Sequence, residues 1–368
     1  PSANCVLAVD EDMTSVLALL AYRYLAWASP TRCPYPSQNG VLPKQTACIT
    51  FPIFVYSHRG GNLERNATEQ LFLENTLPAF RNSAAIGVDV LELDVQLTRD
   101  GLAAVFHDRE LGRLCGPAFR GKRISDYNYA DLPRLNPLGS VPTIIDVQDP
   151  DFTRIPLLEE VFKAHPDKPV QIDLKAPSQQ LVHVVSELVS RYHREKLVLW
   201  GSFLHNNNNG LYAANPNVPL FMSGPRAQLL LAAYCAGRFD DIHIYESAII
   251  MPWRIPLSSW LHRRLLLPGF FRLLNGRGVS VILFGNINNE AAFRDCTTAG
   301  ANALCTDHPS RLLRWLAARE GHVHAGRASH PGIPEHPTEE RQGRGDGCAS
   351  RGRCGSDEGN NGGGEDRG

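Results

Sequence analysis

Val90-Leu-Glu-Leu-Asp-Val-Gln-Leu97 decides how this chain is read. Successive side chains of a strand point to opposite faces, so Leu91, Leu93, Val95 and Leu97 share one face while Glu92, Asp94 and Gln96 share the other. In a barrel the leucine face packs on surrounding helices and the two carboxylates, about 6.5 to 7 Å apart along the backbone, point inward. Bare charge is costly there, and a divalent cation removes that cost.

Working outward from this strand, short apolar runs alternate with helical stretches from about residue 51, the pattern of repeated βα units. The pattern predicts strands at 53–56, 90–97, 102–106, 170–174, 197–200, 219–222, 279–284 and 303–306, with helices at 77–86, 157–164, 181–192 and 310–319. Eight strands predict an α/β fold, a closed TIM (β/α)8 barrel whose active site gathers at the C-terminal ends of the strands. A barrel of about 250 residues with flanking segments accounts for 368 residues without a second core. The expected organisation is an N-terminal segment at 1–50, the barrel at 51–320 and a tail at 321–368. In that tail apolar residues almost vanish and Gly, Arg, Ser, Asp and Glu take over, so it is expected to be disordered. The long irregular stretch 112–153 is either a functional loop or a small subdomain.

The balance of 37 basic against 38 acidic residues sets up no global field for nucleic acid, so no nucleic-acid partner is expected. Nine cysteines without a regular framework argue against a disulfide-stapled module, and Cys348 and Cys354 lack companions at zinc spacing. The chain begins at Pro1, so its true start and any targeting signal are expected to lie upstream. Residues 13–29 are apolar apart from Thr14, Ser15, Arg23 and the tyrosines. That run is shorter than the roughly 20 residues a bilayer needs, and Arg23 near its centre costs about 2.5 kcal/mol or more. It reads as a degraded or interfacial anchor, with an amphipathic packing helix as the alternative.

Val170-Gln-Ile-Asp-Leu-Lys175 repeats the alternation, with Ile172 and Leu174 facing out and Asp173 and Lys175 facing in. Asp173 can complete a metal shell while Lys175 holds a phosphate oxygen, or the two can form an internal ion pair. His58-Arg-Gly-Gly61 ends the first predicted strand and His107-Asp108 the third. Histidine exchanges protons near neutral pH, and two of them at the mouth beside inward carboxylates point to acid/base catalysis. Arg59 offers a planar fork for phosphate, and Gly60 and Gly61 let a ligand approach the backbone.

His58-Arg-Gly, Glu74-Asn-Thr-Leu-Pro-Ala-Phe80, Glu92-Leu-Asp-Val95, Thr98-Arg-Asp-Gly101, His107-Asp108 and Thr306-Asp-His-Pro309 resemble, in the same order, the motifs of the glycerophosphodiester phosphodiesterase domain family. The resemblance covers roughly residues 53 to 318 and is strongest to the membrane-associated branch with lysophospholipase D activity. It implies His58 and His107 as the catalytic pair, Glu92, Asp94 and Asp173 as ligands of a divalent cation (Mg2+ or Ca2+), and Arg59 and Lys175 as phosphate contacts. Glu74 and Asn75 are further candidates, as are Asn286 or Asn288. The implied activity is hydrolysis of a glycerophosphodiester or lysophospholipid that releases a head-group alcohol. A membrane surface is the implied partner, at the endoplasmic reticulum or with a cytoplasmic enzyme as the alternative.

The chain departs from the family pattern at three places. Asp173 stands where the family has Glu, one methylene short. The stretch 62–73 is longer than usual and contains the glycosylation-type triplet Asn66-Ala-Thr68. Phe284 replaces a Trp at the end of the seventh predicted strand.

Residues 225–272 are long and oily, mixing Leu229, Trp253, Trp260, Phe270 and Phe271 with Arg254, Arg263, Arg264 and Arg272. This reads as a segment lying in a membrane interface beside a lipid site, against a packed barrel insertion. Two other functions compete: a phospholipase C or sphingomyelinase D type of barrel, and a catalytically inactive lipid-binding barrel.

Overall fold

A computed structural model describes residues 48–65, 71–136, 149–256 and 262–323. The expectations for 13–29, the Asn66 triplet, Trp260, Cys348, Cys354 and the tail beyond 323 lie outside these residues.

The strands are β1 (Val55–Ser57), β2 (Val90–Leu97), β3 (Ala103–Val105), β4 (Val170–Leu174), β5 (Val198–Gly201), β6 (Ala248–Pro252), β7 (Arg254–Pro256), β8 (His262–Arg264), β9 (Ser280–Phe284) and β10 (Ala303–Thr306). Between them run α1 (Leu77–Ala85), α2 (Gly112–Cys115), α3 (Leu158–Ala164), α4 (Gln179–Arg191), α5 (His205–Ala214), α6 (Gly224–Cys235), α7 (Pro268–Gly276), α8 (Glu290–Thr298) and α9 (Pro309–Val323). Seven strands pair in the order β5-β4-β2-β1-β10-β9-β6, all parallel. Leu220 and Phe221 bridge in parallel to Trp200 on β5 and Ala248 on β6, which closes the ring with an eighth, very short stave. The fold is a (β/α)8 barrel with its staves in chain order.

Strand alternation divides the apolar residues between two layers. Tyr56, Val90, Leu199, Phe221, Ile250, Ile282, Ala303 and Cys305 fill the inside of the ring. Leu91, Leu93, Val95, Ile172, Leu174 and Trp200 pack outward against the helices. On α4 the buried set Leu181, Val182, Val185, Leu188 and Val189 follows the helical repeat, and Ser178 caps the first turn by accepting from Leu181 N at 3.1 Å. Each large side chain so buried contributes about 1.5 to 3 kcal/mol.

The count of eight staves is right, but one member differs from the sequence expectation. The run at 102–106 is not a stave: β3 folds back antiparallel on β2, pairing Val95 with Val105 and Leu97 with Ala103. Ala104 and Phe106 join a side cluster with Leu111, Cys115, Ile124, Leu135 and Ile155. That cluster gives the irregular stretch after 112 its own small core. Apolar composition reports burial and not the layer in which it occurs. The stave that sequence reading missed is β6, which lies in the middle of the oily segment.

That segment is barrel rather than a continuous membrane-lying piece. It forms α6, β6, the antiparallel β7–β8 hairpin and α7. Leu229, Leu230, Trp253, Phe270 and Phe271 are buried in the outer core, so their oiliness is spent on packing. Arg254 is exposed. Among the described residues no helix is long and apolar enough to cross a membrane.

Candidate active site

β2 and β4 lie side by side with Asp94 opposite Asp173 and Glu92 opposite Gln171. The inward carboxylates of the two strands therefore meet at one level. Lys175 follows β4, and its ammonium lies 3.0 Å from Asp94 Oδ1 and 2.6 Å from Asp173 Oδ2. The internal ion pair foreseen for Asp173 and Lys175 is thus present, and it takes in Asp94 as well.

At the end of β1 the chain turns sharply through Arg59, Gly60 and Gly61, which have φ of 51°, 83° and 76°. A Cβ on Gly60 would come within 2.9 Å of the Ala79 Cβ on α1, so the turn needs glycine for both conformation and space. The turn aims Arg59 N at Glu92 Oε2 (2.7 Å) and its guanidinium at Glu74 Oε1 (2.9 Å), with Nε 3.6 Å from Asp94 Oδ2. Asn75, at φ 58°, donates to Asp94 Oδ2 at 3.0 Å.

Each histidine is anchored through Nδ1 by a carboxylate. His58 Nδ1 lies 2.6 Å from Asp307 Oδ1, just beyond the end of β10. Asn288 donates to Asp307 Oδ2 at 2.8 Å and accepts from Asp307 N and Thr306 Oγ1, each at 3.0 Å. His107 Nδ1 lies 2.8 Å from Asp108 Oδ1. Arg113 then ties Asp108 to Glu74, donating to Asp108 Oδ1 at 2.9 Å and to the two Glu74 oxygens at 2.6 and 2.8 Å. Gln96, inward on β2, donates to the carbonyls of Phe106 and Asp108 and fixes the backbone around His107. With Nδ1 engaged, Nε2 is the nitrogen left to each ring for proton exchange.

The charges follow from this packing. Burial works against a charged His58, but the Asp307 hydrogen bond and the Glu92 charge outweigh it and hold its pKa above the ordinary histidine value. Burial and then the Asp94 charge push Glu92 up to about 7. Burial, opposed by Lys175, leaves Asp173 raised as well. Asp94 suffers the same burial, yet Lys175 and Arg59 outweigh it and hold it at about 2.

Among the described residues no three potential ligand side chains converge on one point, and the Arg59 and Lys175 heads lie among the carboxylates. The donor chemistry nevertheless fits a hard cation. Asp173 Oδ1 and Asn75 Oδ1 are buried with no hydrogen-bond partner, and both residues adjoin Asp94. Two carboxyls with raised pKa mark a site short of positive charge.

The tertiary structure brings together His58, Arg59, Glu74, Asn75, Glu92, Asp94, His107, Asp173, Lys175 and Asn288. Asn286 is not among them: it is exposed, at φ 53°, in the turn after β9. Sequence reading missed the supporting roles of Asp307, Asp108, Arg113 and Gln96. Asp307 and Asp108 lie inside recognised motifs, and Gln96 shares the inward face of Glu92 and Asp94, so those three carried a signal. Arg113 carried none.

The sequence profile of the Glycerophosphoryl diester phosphodiesterase family matches residues 58–311. The chain belongs to this family. Among members of the family, human lysophospholipase D GDPD1 is 34% identical over 278 residues, covering 71% of this chain and 85% of its own length. Mouse lysophospholipase D GDPD3 is 30% identical, covering 73% and 84%. The glycerophosphodiester phosphodiesterase of Bacillus altitudinis is 27% identical, covering 71% and 96%. In fold the chain is similar to a phosphodiesterase of Oleispira antarctica solved with its product sn-glycerol-3-phosphate, at TM-score 0.54, 19% identity and coverage of 73% and 97%. It is also similar to the glycerophosphodiester phosphodiesterase of Agrobacterium tumefaciens, at TM-score 0.51, 19% identity and coverage of 72% and 99%. The family is one of phosphodiester hydrolases acting on glycerol phosphodiesters.

Proposed function

We propose that this family member is a metal-dependent hydrolase of lysophospholipase D type, using His58 and His107 as its acid/base pair and releasing a head-group alcohol. The observation that carries the reading is the pair of histidines, each held through Nδ1 by an aspartate, at the mouth that also holds Glu92, Asp94 and Asp173. Two proton-transfer groups are what a diester cleavage requires, one for the entering oxygen and one for the departing oxygen.

His107 Nε2 accepts the proton of the attacking water or neighbouring glycerol hydroxyl as its oxygen bonds to phosphorus. The bond from phosphorus to the head-group oxygen breaks, and His58 Nε2, on a ring whose pKa Asp307 and Glu92 hold above the ordinary histidine value, returns a proton to the leaving alkoxide. If the glycerol hydroxyl attacks, a cyclic phosphate forms first and water opens it in a second step. Glu92, Asp94 and Asp173 would hold the divalent cation, Mg2+ or Ca2+, which would neutralise charge on the phosphoryl oxygens. Arg59 and Lys175 add the positive charge that a phosphodiester anion needs beside this many carboxylates.

The substrate is a small glycerophosphodiester or a lysophospholipid drawn from a membrane surface. The basic β7–β8 hairpin supports that surface: it leaves the C-terminal end of β6, pairs Arg254 with Arg264, and lays the Arg254 guanidinium 3.8 Å from the Trp253 ring centroid.

The test is product analysis on purified protein with Mg2+, Ca2+ or Mn2+, beside a His58→Ala variant. Free choline, ethanolamine or glycerol, formed only with metal and lost in the variant, is the expected result. A phosphorylated head group would make the enzyme a phospholipase C type, and no metal-dependent turnover would make it an inactive lipid-binding barrel.

A further inference from the structure

The barrel mouth is polar on one side and aromatic on the other. His58, Glu92, Asp94 and Asp173 come from β1, β2 and β4, whereas β5, the short stave at Phe221 and β9 contribute Phe203, Phe221 and Phe284. We propose that this aromatic side, with Phe203 at its front, is the subsite for the single acyl chain of a lysophospholipid. The proposal deepens the reading of the site as a lysophospholipase D and rests on it.

The Phe203 ring is 5.8 Å from Phe221 and 6.2 Å from Phe284, centroid to centroid, so the exposed Phe203 is backed by the buried Phe221 and the half-buried Phe284. Phe203 is 38% exposed and its neighbour Leu204 39%, among the few large apolar side chains left that open in the described residues. An exposed apolar surface of this kind at a catalytic mouth gains by being covered. Hydrogen bonds fix the turn that carries Phe203. Ser202 N donates to Asn208 Oδ1 (2.7 Å), Ser202 Oγ to Leu174 O (2.5 Å), Leu204 N to Ser202 Oγ (3.1 Å) and Asn208 Nδ2 to Phe221 O (2.8 Å). Ser202 and Asn208 are both buried.

The aromatic surface is continuous with the charged site. Lys175 Nζ, 2.6 Å from Asp173, lies 5.9 Å from the Phe203 ring centroid. Gly201 is the strand partner of Asp173, and a Cβ there would come within 2.6 Å of the Phe221 ring. Glycine at 201 therefore lets the aromatic surface begin one strand away from the carboxylates. A ligand whose phosphodiester lies at Lys175 has its apolar part beside Phe203.

Aromatic surfaces also bind quaternary ammonium heads. Here the ring face is already shared with the Lys175 ammonium, whose like charge opposes a choline cation and leaves an alkyl chain unaffected. The acyl chain is the occupant that both the apolarity and the charge select.

The experiment compares lysophosphatidylcholine, below its micelle concentration, with glycerophosphocholine, which has the same head group and no chain. The read-out is the ratio of the two kcat/KM values in the parent, Phe203→Ser and Phe203→Leu. A partly unfolded preparation lowers both values and cancels in the ratio. Phe203→Ser is expected to lower the ratio by about tenfold or more, with Phe203→Leu in between. An unchanged or raised ratio overturns the subsite, and an unchanged ratio with both values lowered places the shared head group, not the chain, at Phe203. A parent that hydrolyses glycerophosphocholine but no lysophospholipid refutes the lysophospholipase D reading itself.

Discussion

Glu92 is a buried carboxyl pushed up to about 7 by burial and by its neighbour Asp94. A ligand carboxyl must lose its proton to bind metal, so apparent affinity for Mg2+ or Ca2+ is expected to fall about tenfold per pH unit below about pH 7 and to level off above it. Calorimetric titration across that range checks this, and a pH-independent affinity would remove Glu92 from the shell. Stability has the matching sign: a raised carboxyl pKa favours the protonated folded state. The metal-free protein therefore loses stability as pH rises from 4.5 through about 7, and added cation restores it. Asp307 acts on His58, whose pKa it raises through the Nδ1 hydrogen bond. Asp307→Asn should lower turnover by about 10²- to 10⁴-fold and move the pH-rate limb that reports protonated His58 to lower pH. A profile with that limb unmoved would show that Asp307 does not set the charge of His58. Strand alternation made Glu92, Asp94 and Asp173 readable from sequence, because period two places them inward whatever surrounds them. The partnership of Asp307 with His58 joins residues 249 positions apart and has no such local sign.

Among the staves of the barrel, β6 is the one the sequence reading passed over, and an ion pair is buried beside its start. Arg226, in the first turn of α6, donates from Nε to Glu246 Oε1 at 2.7 Å and from its terminal nitrogen to Glu246 Oε2 at 3.0 Å, just before β6 begins. Both side chains are buried, and the guanidinium lies 4.8 Å from the Tyr245 ring centroid. Arg226→Met strands a buried carboxylate and should cost about 3 to 5 kcal/mol in urea unfolding, while Arg226→Met with Glu246→Leu should recover most of it. A double variant as unstable as the single one would show that packing, not charge, seats the strand. The run Ala248-Ile-Ile-Met251 is bounded by Glu246-Ser247 and Pro252, a strand signal that reading 225–272 as one oily segment passed over. Conversely, β3 was legible as a strand but not as an antiparallel one, since strand direction is set by the partner and not by the residues.

At the scale of the molecule, the charged and aromatic sides of the mouth and the basic hairpin belong to one end of the barrel. Replacing Arg254, Arg263 and Arg264 together by Glu should weaken binding to anionic vesicles while sparing hydrolysis of a short soluble diester. Equal sedimentation of parent and variant with the vesicles would remove the membrane role of the hairpin. The sequence by itself determined the barrel, because a period-two pattern with leucines on one face and acids on the other fits a strand that is buried on both sides. It also singled out His58 and His107 at strand ends, where a barrel collects its chemistry, and the inward carboxylates of β2 and β4, which the structure gathers at one mouth. Only the tertiary structure decided which strand closes the ring, that Trp253, Phe270 and Phe271 are core, and that Asp307, Asp108 and Arg113 hold the histidines. It alone also brought Phe203 against Phe221 and Phe284. Those facts depend on neighbours distant in the chain, and local periodicity reports the face a residue presents but not the partner it meets.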